Sequence, residues 1–308
     1  MQAPYLSLKT GVAALTVMGL LLWADKAIPH AGVWALLLLS VSVGFVHGAL
    51  DAVLLPQRFT SRVLAALMFV AYLLLVLLLG WVLSTAVNVA LWFLLLMSAW
   101  HFGEPYGRWE GLPAWQSGLT RAVVGGAPVM LPVWLAVDQL AVVLTNVVPA
   151  VALQGWQAIA WGWLGLVVLW LVLRLSVGGM QHLRDLRYAW LELAGCVLLY
   201  ALLSPLMAFA VYFGVYHAPV HIWRVWRGWR GDAKTSPIRA VAVAALTTIV
   251  TWLLGAALWW VLSPGAAAAI DSATALRWLI VAFAALTAPH LVLISLCTKF
   301  LAPPHSSR

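Results

Sequence analysis

Apolar stretches follow one another along almost the whole chain, and a stretch of about 20 such residues is what an α-helix needs to cross a bilayer. Of the 308 residues, 65% are hydrophobic and only 8% are charged. Runs such as 63–82 and 162–173 are apolar on every side. This composition excludes an ordinary soluble domain and predicts an all-α, polytopic bundle of transmembrane helices that forms a single integral membrane domain over 1–308.

The apolar stretches divide into about ten candidate helices. We expect them at 11–28, 32–55, 62–84, 86–104, 119–142, 150–175, 187–203, 205–226, 238–263 and 273–298. The seventh is short and ends at Ser204-Pro205, so a half-span or a merger with its neighbour is an alternative for it. Loss of the seventh and eighth as a pair keeps the alternation of charge and leaves eight helices as a further alternative. No small-residue cleavage site follows the apolar run 12–22, which we interpret as a first anchor rather than a signal peptide.

Basic residues test this topology. With the N-terminus in the cytoplasm, 15 of the 17 Lys and Arg fall on cytoplasmic segments, and only Lys26 and Arg277 fall on the opposite side. Such a bias is typical of integral membrane proteins and predicts that both termini are cytoplasmic. We expect a multi-pass protein of the plasma membrane. The net charge of +8 is spread over short loops, and the basic stretch 224–239 follows a span. We therefore expect contact with anionic membrane lipid and no binding of nucleic acid.

Five histidines lie inside the apolar segments: His47, His101, His217, His221 and His290. An ionisable side chain at membrane depth is costly and usually marks a functional site. Imidazole is also the commonest metal ligand. The five fall on helices two, four, eight and ten, which all run toward the cytoplasm in the predicted topology. We expect them to meet in one layer, in the cytoplasmic half of the bundle.

The strongest local pattern is His217-Ala-Pro-Val-His221. The i, i+4 spacing places both imidazoles on one helix face, where they can share one metal ion. Pro219 between them is expected to kink the helix and open its backbone. The alternative is two unrelated interior histidines that hydrogen-bond to neighbouring helices.

Two further patterns combine a histidine with a carboxylate. Asp51 lies one turn beyond His47, where it can accept the second imidazole N–H and orient the ring. Gly44 and Gly48 on the same helix form a GxxxG pattern that favours close packing. Glu104 follows His101 by three residues and is expected near the ring or at the interface.

His290 stands alone in its helix. Metal ligation, a place behind the ligands and a place on the substrate side all remain open for it. We assign Asp51, Glu104 and His290 to the surroundings of the metal rather than to its ligands.

Aromatic residues flank the histidines. Trp100 and Phe102 are neighbours of His101, and Tyr212, Phe213 and Tyr216 precede His217. Such side chains can line a tunnel for a flat polyene. We therefore predict that these five residues contact the substrate, whereas most of the 20 tryptophans are expected to pack against lipid.

A set of neutral nitrogen ligands suits Fe, Zn, Cu or Ni better than Mg or Ca. Zinc hydrolysis would need a general base near the metal, for which Glu104 is available. Redox iron with O₂ needs no protein nucleophile, because the protein then supplies geometry and a dry cavity. Neither a nucleotide-binding loop nor a Ser-His-Asp arrangement is visible in the sequence.

At these residues the chain resembles the Brp/Blh family of prokaryotic membrane β-carotene 15,15′-dioxygenases. The resemblance spans essentially the whole chain. Its pieces are His47-Gly-Ala-Leu-Asp51, Trp100-His-Phe-Gly-Glu104, Tyr212-Phe213 followed by His217 and His221, and Pro289-His290. It implies Fe²⁺ bound by His47, His101, His217 and His221, and cleavage of the central double bond of β-carotene by O₂ into two retinal molecules. Retinal would then pass into the bilayer or to a partner rhodopsin.

Two other functions also fit histidines inside a membrane. One is a non-enzymatic haem or quinone protein that uses paired histidines as axial ligands. The other is a proton-coupled transporter in which the histidines form a relay.

Overall fold

The computed structural model describes residues 8–52, 61–106, 113–177, 187–230, 237–262 and 271–301. These residues form ten helices and no strand. The helices are α1 Leu8–Ala27, α2 Ala31–Ala49, α3 Arg62–Ser84, α4 Val87–Phe102, α5 Ala114–Leu144, α6 Ala150–Val177, α7 Arg187–Leu202, α8 205–230, α9 Pro237–Leu262 and α10 Ser272–Leu301. The expected number is confirmed, although α5 begins five residues before its predicted start, and residues 53–55 of the second candidate lie outside the described residues.

Six of the described helices are long and apolar enough to cross a membrane: Ala31–Ala49, Val63–Ser84, Ala114–Leu144, Ala150–Ser176, Pro205–Trp226 and Ser272–Leu293. On α3, Val63, Leu67 and Leu74 are each more than half exposed. A soluble protein rarely exposes such a continuous apolar surface, whereas lipid covers it at no cost. The expected all-α membrane helix bundle is confirmed.

The chain turns sharply between α7 and α8. Pro205 occupies the first turn of α8, where its missing N–H costs no helical hydrogen bond. The preceding Ser204 donates its backbone N–H to Asp25 at 2.6 Å, and its hydroxyl also donates to that carboxylate. Asp25 belongs to α1, so the first helix supplies the cap of the eighth. The seventh and eighth helices therefore remain separate.

The end of α4 lies directly against α5. A Cβ atom placed on Gly103 would come within 2.1 Å of the Arg121 carbonyl oxygen. One placed on Gly125 would come within 2.1 Å of the Ala99 carbonyl oxygen. Only glycine permits so close an approach of two backbones. The contact fixes the last turn of α4, which carries His101.

Two helices contain a π-helical turn, in which a backbone N–H bonds five residues back instead of four. In α2 this turn is Ser40–Gly44, and in α8 it is Tyr212–His217. In the latter, Ala218 N–H donates to the Phe213 carbonyl. The irregularity that we expected at Pro219 thus lies in the turn before it.

The two π-turns pack against each other. A Cβ atom on Gly44 would lie 2.7 Å from the Phe213 ring, and one on Gly214 would lie 2.6 Å from Leu39. Each glycine thus receives a side chain of the facing helix. Gly48, the other glycine of the GxxxG pattern, has no such neighbour within 4 Å. The pattern therefore supports one close contact rather than two.

Candidate metal centre

The five intramembrane histidines converge, as their positions along the chain predicted. From the His47 ring, the ring centroids of His221, His290, His217 and His101 lie at 4.2, 4.9, 5.3 and 5.6 Å. His101 also lies 5.0 Å from His217 and 4.9 Å from His290. Each of the five residues is at most 9% exposed. Helices α2, α4, α8 and α10 therefore enclose one buried cluster of imidazoles.

The cluster has the properties of a metal site. One ring nitrogen from each of His47, His101 and His221 lies within 4.8 Å of the others. Within the described residues, both nitrogens of His101 and the Nε2 atoms of His217 and His221 have no hydrogen-bond partner. Leaving buried polar atoms unpaired costs free energy, so such a group needs an explanation, and a bound metal ion is one that fits several imidazoles at once. Neutral imidazole nitrogens fit a first-row transition metal ion.

His290 contacts a buried carboxylate through its second ring nitrogen. Its Nδ1 atom lies 2.9 Å from both carboxylate oxygens of Asp51, and Tyr72 donates its hydroxyl to Asp51 at 2.8 Å. The Nε2 atom of His290 lies 3.2 Å from Nε2 of His47. Asp51 therefore contacts the imidazole of α10 and not, as we expected, that of His47 on its own helix. Sequence spacing could not show this, because Asp51 and His290 are 239 residues apart.

A polar region lies on another side of the cluster. Glu192 of α7 accepts hydrogen bonds from three tyrosine hydroxyls: Tyr106 at 2.6 Å, Tyr212 at 2.8 Å and Tyr216 at 3.1 Å. Burial and the adjacent Glu192 carboxylate raise the pKa of Tyr106 far above its ordinary value, so its hydroxyl remains a donor. Glu192 thereby ties the end of α4 to the π-turn that leads to His217.

Glu104 lines a small pocket in this region. Its neighbours there include His101, His217, His221, Glu192 and Arg224. The predicted place of Glu104 near the imidazoles thus agrees with the geometry, and within the described residues it is one of two carboxylates that line this pocket. Sequence reasoning missed Glu192, although a lone carboxylate inside an apolar helix is itself a signal of a site.

A large apolar cavity also borders the cluster. Its volume is about 420 Å³, within the range of small-molecule sites in proteins. Helices α2, α3, α4, α8, α9 and α10 contribute to its wall, which includes His47, His101 and His290. Most of the other wall residues are aliphatic or aromatic. The cluster can therefore act on an apolar molecule held in this cavity.

Two of the five predicted substrate contacts line the cavity, namely Phe102 and Phe213. Trp100 is 53% exposed, and the guanidinium of Arg121 stacks 3.6 Å from its ring centroid. Tyr212 and Tyr216 turn toward Glu192 instead. The reason is chemical: a buried tyrosine hydroxyl needs a polar partner, and Glu192 lines the small pocket rather than the cavity.

Comparison with known proteins gives two findings. The sequence profile of the family described as beta-carotene 15,15′-dioxygenase matches residues 38–298. A protein named beta-carotene 15,15′-dioxygenase, from uncultured marine bacterium 66A03, is 28% identical over 295 residues, which cover 89% of this chain and 96% of the relative. No solved structure matches this chain.

Proposed function

The chain belongs to the β-carotene 15,15′-dioxygenase family, and we propose that it cleaves β-carotene at the central 15,15′ double bond. One O₂ and one β-carotene would give two retinal molecules, each new carbonyl taking one oxygen atom. The single observation that carries the proposal is a buried cluster of imidazoles in the wall of an apolar cavity.

His47, His101, His217 and His221 would hold the metal ion, which we propose to be Fe²⁺. The unpaired buried nitrogens of these residues support this assignment. When bound, such an ion would supply the activation of O₂, a reaction that amino-acid side chains do not provide. The four ligands come from α2, α4 and α8, and the packed glycines of these helices hold the rings in place.

The cavity would bind the polyene through apolar contact alone. β-Carotene carries no charged or hydrogen-bonding group, so its affinity would come from buried apolar area at about 25 cal/mol per Å². Phe102 and Phe213 lie both in the cavity wall and beside the imidazoles. They would therefore hold the central part of the chain next to the metal and exclude water from it.

A haem protein fits this geometry less well. Two axial histidines would need an open plane between them for the porphyrin. The five imidazoles are crowded, however: the ring centroids of nine of their ten pairs lie 4.2–6.4 Å apart, which leaves little room for a porphyrin among them. Histidines that relay protons, as in a transporter, would be expected to have hydrogen-bond partners, whereas several of these nitrogens have none among the described residues.

We also propose where in the cell the reaction takes place. The protein would span the plasma membrane several times with both termini in the cytoplasm. Retinal, being apolar, would leave into the bilayer or pass to a partner rhodopsin. The six apolar spans support a membrane location.

Expression in a host that accumulates β-carotene tests the proposed function. We expect the host to lose its colour and to form retinal. His217→Ala should abolish retinal formation, whereas Gly162→Ala on the outer surface of α6 should not, because a Cβ there meets open space. Full colour without retinal, in cells that contain the folded wild-type protein, would refute the proposal.

Metal removal gives a second test. Purified protein treated with a chelator should lose activity and regain it with Fe²⁺ but not with Mg²⁺, since nitrogen ligands disfavour Mg²⁺. Elemental analysis should find about one iron per chain. Full activity in metal-free protein would refute the proposed metal centre.

A further inference from the structure

We infer that His290 is a fifth ligand of the metal and that Asp51 and Tyr72 hold it in the tautomer that ligation needs. This inference rests on the metal centre proposed above and adds a ligand from α10. It also gives a role to Asp51 and Tyr72, two polar side chains in the wall of a mostly apolar cavity.

Asp51 determines the tautomer of His290. A carboxylate accepts hydrogen bonds and does not donate them, so the contact of Asp51 with Nδ1 at 2.9 Å places the imidazole proton on Nδ1. In the neutral ring, Nε2 then carries a lone pair. Metal-bound histidines commonly have this arrangement, in which a carboxylate orients the ring through the nitrogen that does not bind the metal.

The lone pair on Nε2 of His290 lies near the proposed ligand atom of His47. Nε2 of His290 lies 3.2 Å from Nε2 of His47. Two imidazole nitrogens bound to one ion, each at about 2.1 Å, are separated by about 3.0 to 3.4 Å in octahedral or tetrahedral geometry. The two Nε2 atoms therefore have the separation expected of neighbouring ligands.

The burial of Asp51 and His290 also favours a bound cation. Asp51 is 2% exposed and His290 is 4% exposed, inside a wall that is mostly apolar. Burying a carboxylate is expensive unless hydrogen bonds or a nearby cation compensate. Tyr72 supplies one hydrogen bond and His290 another. A divalent ion on the far side of the imidazole would supply the positive charge that this buried anion lacks.

The contacts of Asp51 with His290 and Tyr72 join three helical regions. Asp51 follows α2, Tyr72 lies on α3 and His290 lies on α10, next to Pro289. Proline cannot donate to the preceding turn, so the helix has fewer constraints there. Asp51 would therefore fix the direction of His290 from outside its own helix. We describe Asp51 and Tyr72 as positioning residues, because they act on the metal through the imidazole.

Binding of Co²⁺ to the full-length apoprotein in detergent tests the inference. Co²⁺ is a spectroscopic probe whose visible absorption reports the number and geometry of its ligands, independently of turnover. His290→Ala should change this spectrum and raise the dissociation constant for Co²⁺ at least tenfold. Free imidazole, which can enter the vacated space, should restore the wild-type spectrum.

Two further variants separate positioning from folding. Asp51→Asn should raise the dissociation constant about tenfold to a hundredfold, because the amide can donate to Nδ1 and move the imidazole proton to Nε2. Free imidazole should not rescue this variant, since its His290 ring still occupies the space. Tyr72→Phe, which leaves the Asp51–His290 contact in place, should have a smaller effect of a few fold.

Matched controls come from outside the site. His30→Asn removes an exposed histidine at a positive φ of 57°, which asparagine tolerates. Tyr200→Phe removes a buried hydroxyl that bonds to the Pro128 carbonyl. Both should bind Co²⁺ like the wild type.

Two results would overturn the inference, and they differ in what else they affect. If His290→Ala keeps the wild-type dissociation constant and spectrum while His217→Ala loses Co²⁺, His290 is not a ligand and the proposed function stands. If the folded wild-type protein binds no Co²⁺, the metal centre itself is refuted, and the proposed function fails together with the inference.

Discussion

Gly48 offers a direct way to fill the cavity beside the histidine cluster. A Cβ atom at this position meets nothing within 4 Å, and Gly48 belongs to the cavity wall next to His47. A leucine side chain would therefore extend into the space that we assign to the polyene. Gly48→Ala should fold normally and even gain helix stability of about 0.5–1 kcal/mol, because alanine restricts the unfolded chain.

The expected size of the effect follows from the volume that is lost. The four carbons of a leucine side chain displace roughly four carbons of substrate from the cavity. At about 0.8 kcal/mol for each buried carbon, the loss of binding free energy is about 3 kcal/mol. That corresponds to a dissociation constant for β-carotene about two orders of magnitude higher. Metal binding should stay unchanged, since the substitution adds no polar group.

Titration of the purified variants with β-carotene, followed by its visible absorption, measures this effect, and retinal formation gives the accompanying KM and kcat. Gly162→Leu on α6 is the matched control, because its added side chain also meets open space but faces away from the cavity. If Gly48→Leu binds and cleaves β-carotene within twofold of the wild type, the polyene does not occupy this cavity.

Three further substitutions test how the site is held. Gly44→Ala should lower stability by about 1–3 kcal/mol, since its Cβ would come within 2.7 Å of the buried Phe213 ring; a thermal unfolding midpoint equal to that of Gly48→Ala would contradict the packing of the two π-turns. Glu192→Gln should cost about 1–3 kcal/mol, because three tyrosine hydroxyls lose a charged acceptor; denaturation in detergent measures this loss, and an unchanged midpoint would show that the carboxylate contributes nothing to stability. Asp25→Ala should cost about 0.5–2 kcal/mol through loss of the cap at Ser204, and hydrogen exchange at the start of α8 should rise; wild-type protection there would rule out the cap.

Hydropathy made the helices predictable, and chain direction made the convergence of the histidines predictable. Each apolar stretch of sufficient length became a helix, and the break at Ser204-Pro205 separates α7 from α8 as expected. The histidines lie on the second, fourth, eighth and tenth helices, and every second helix of a bundle that crosses a membrane repeatedly runs the same way. Residues near corresponding ends of such helices share a depth, so their convergence followed from position alone.

The rotation of each helix about its axis was not predictable in the same way. A helix that is apolar on every side gives no hydrophobic face from which to read its orientation. The partner of Asp51 therefore could not be identified. Nor could the sequence show that Trp100, Tyr212 and Tyr216, three of the predicted substrate contacts, lie outside the cavity wall. The carboxylates within apolar segments would have helped to orient the helices. Glu192 and Asp51 each need hydrogen-bond donors, and tyrosine hydroxyls of other helices donate to both.

The π-turn at Tyr212–His217 determines how deletions and alignments across this helix must be interpreted. One additional residue per turn rotates everything on one side by about 100° relative to an uninterrupted α-helix. Phe209 and His221 would face different directions on an ordinary helical wheel drawn through this stretch. Deleting a single residue between them would keep the helix and its hydropathy, yet would swing one end away from its partners. Homologous segments aligned without regard to this extra residue would misassign which side chains face the cavity and which face lipid.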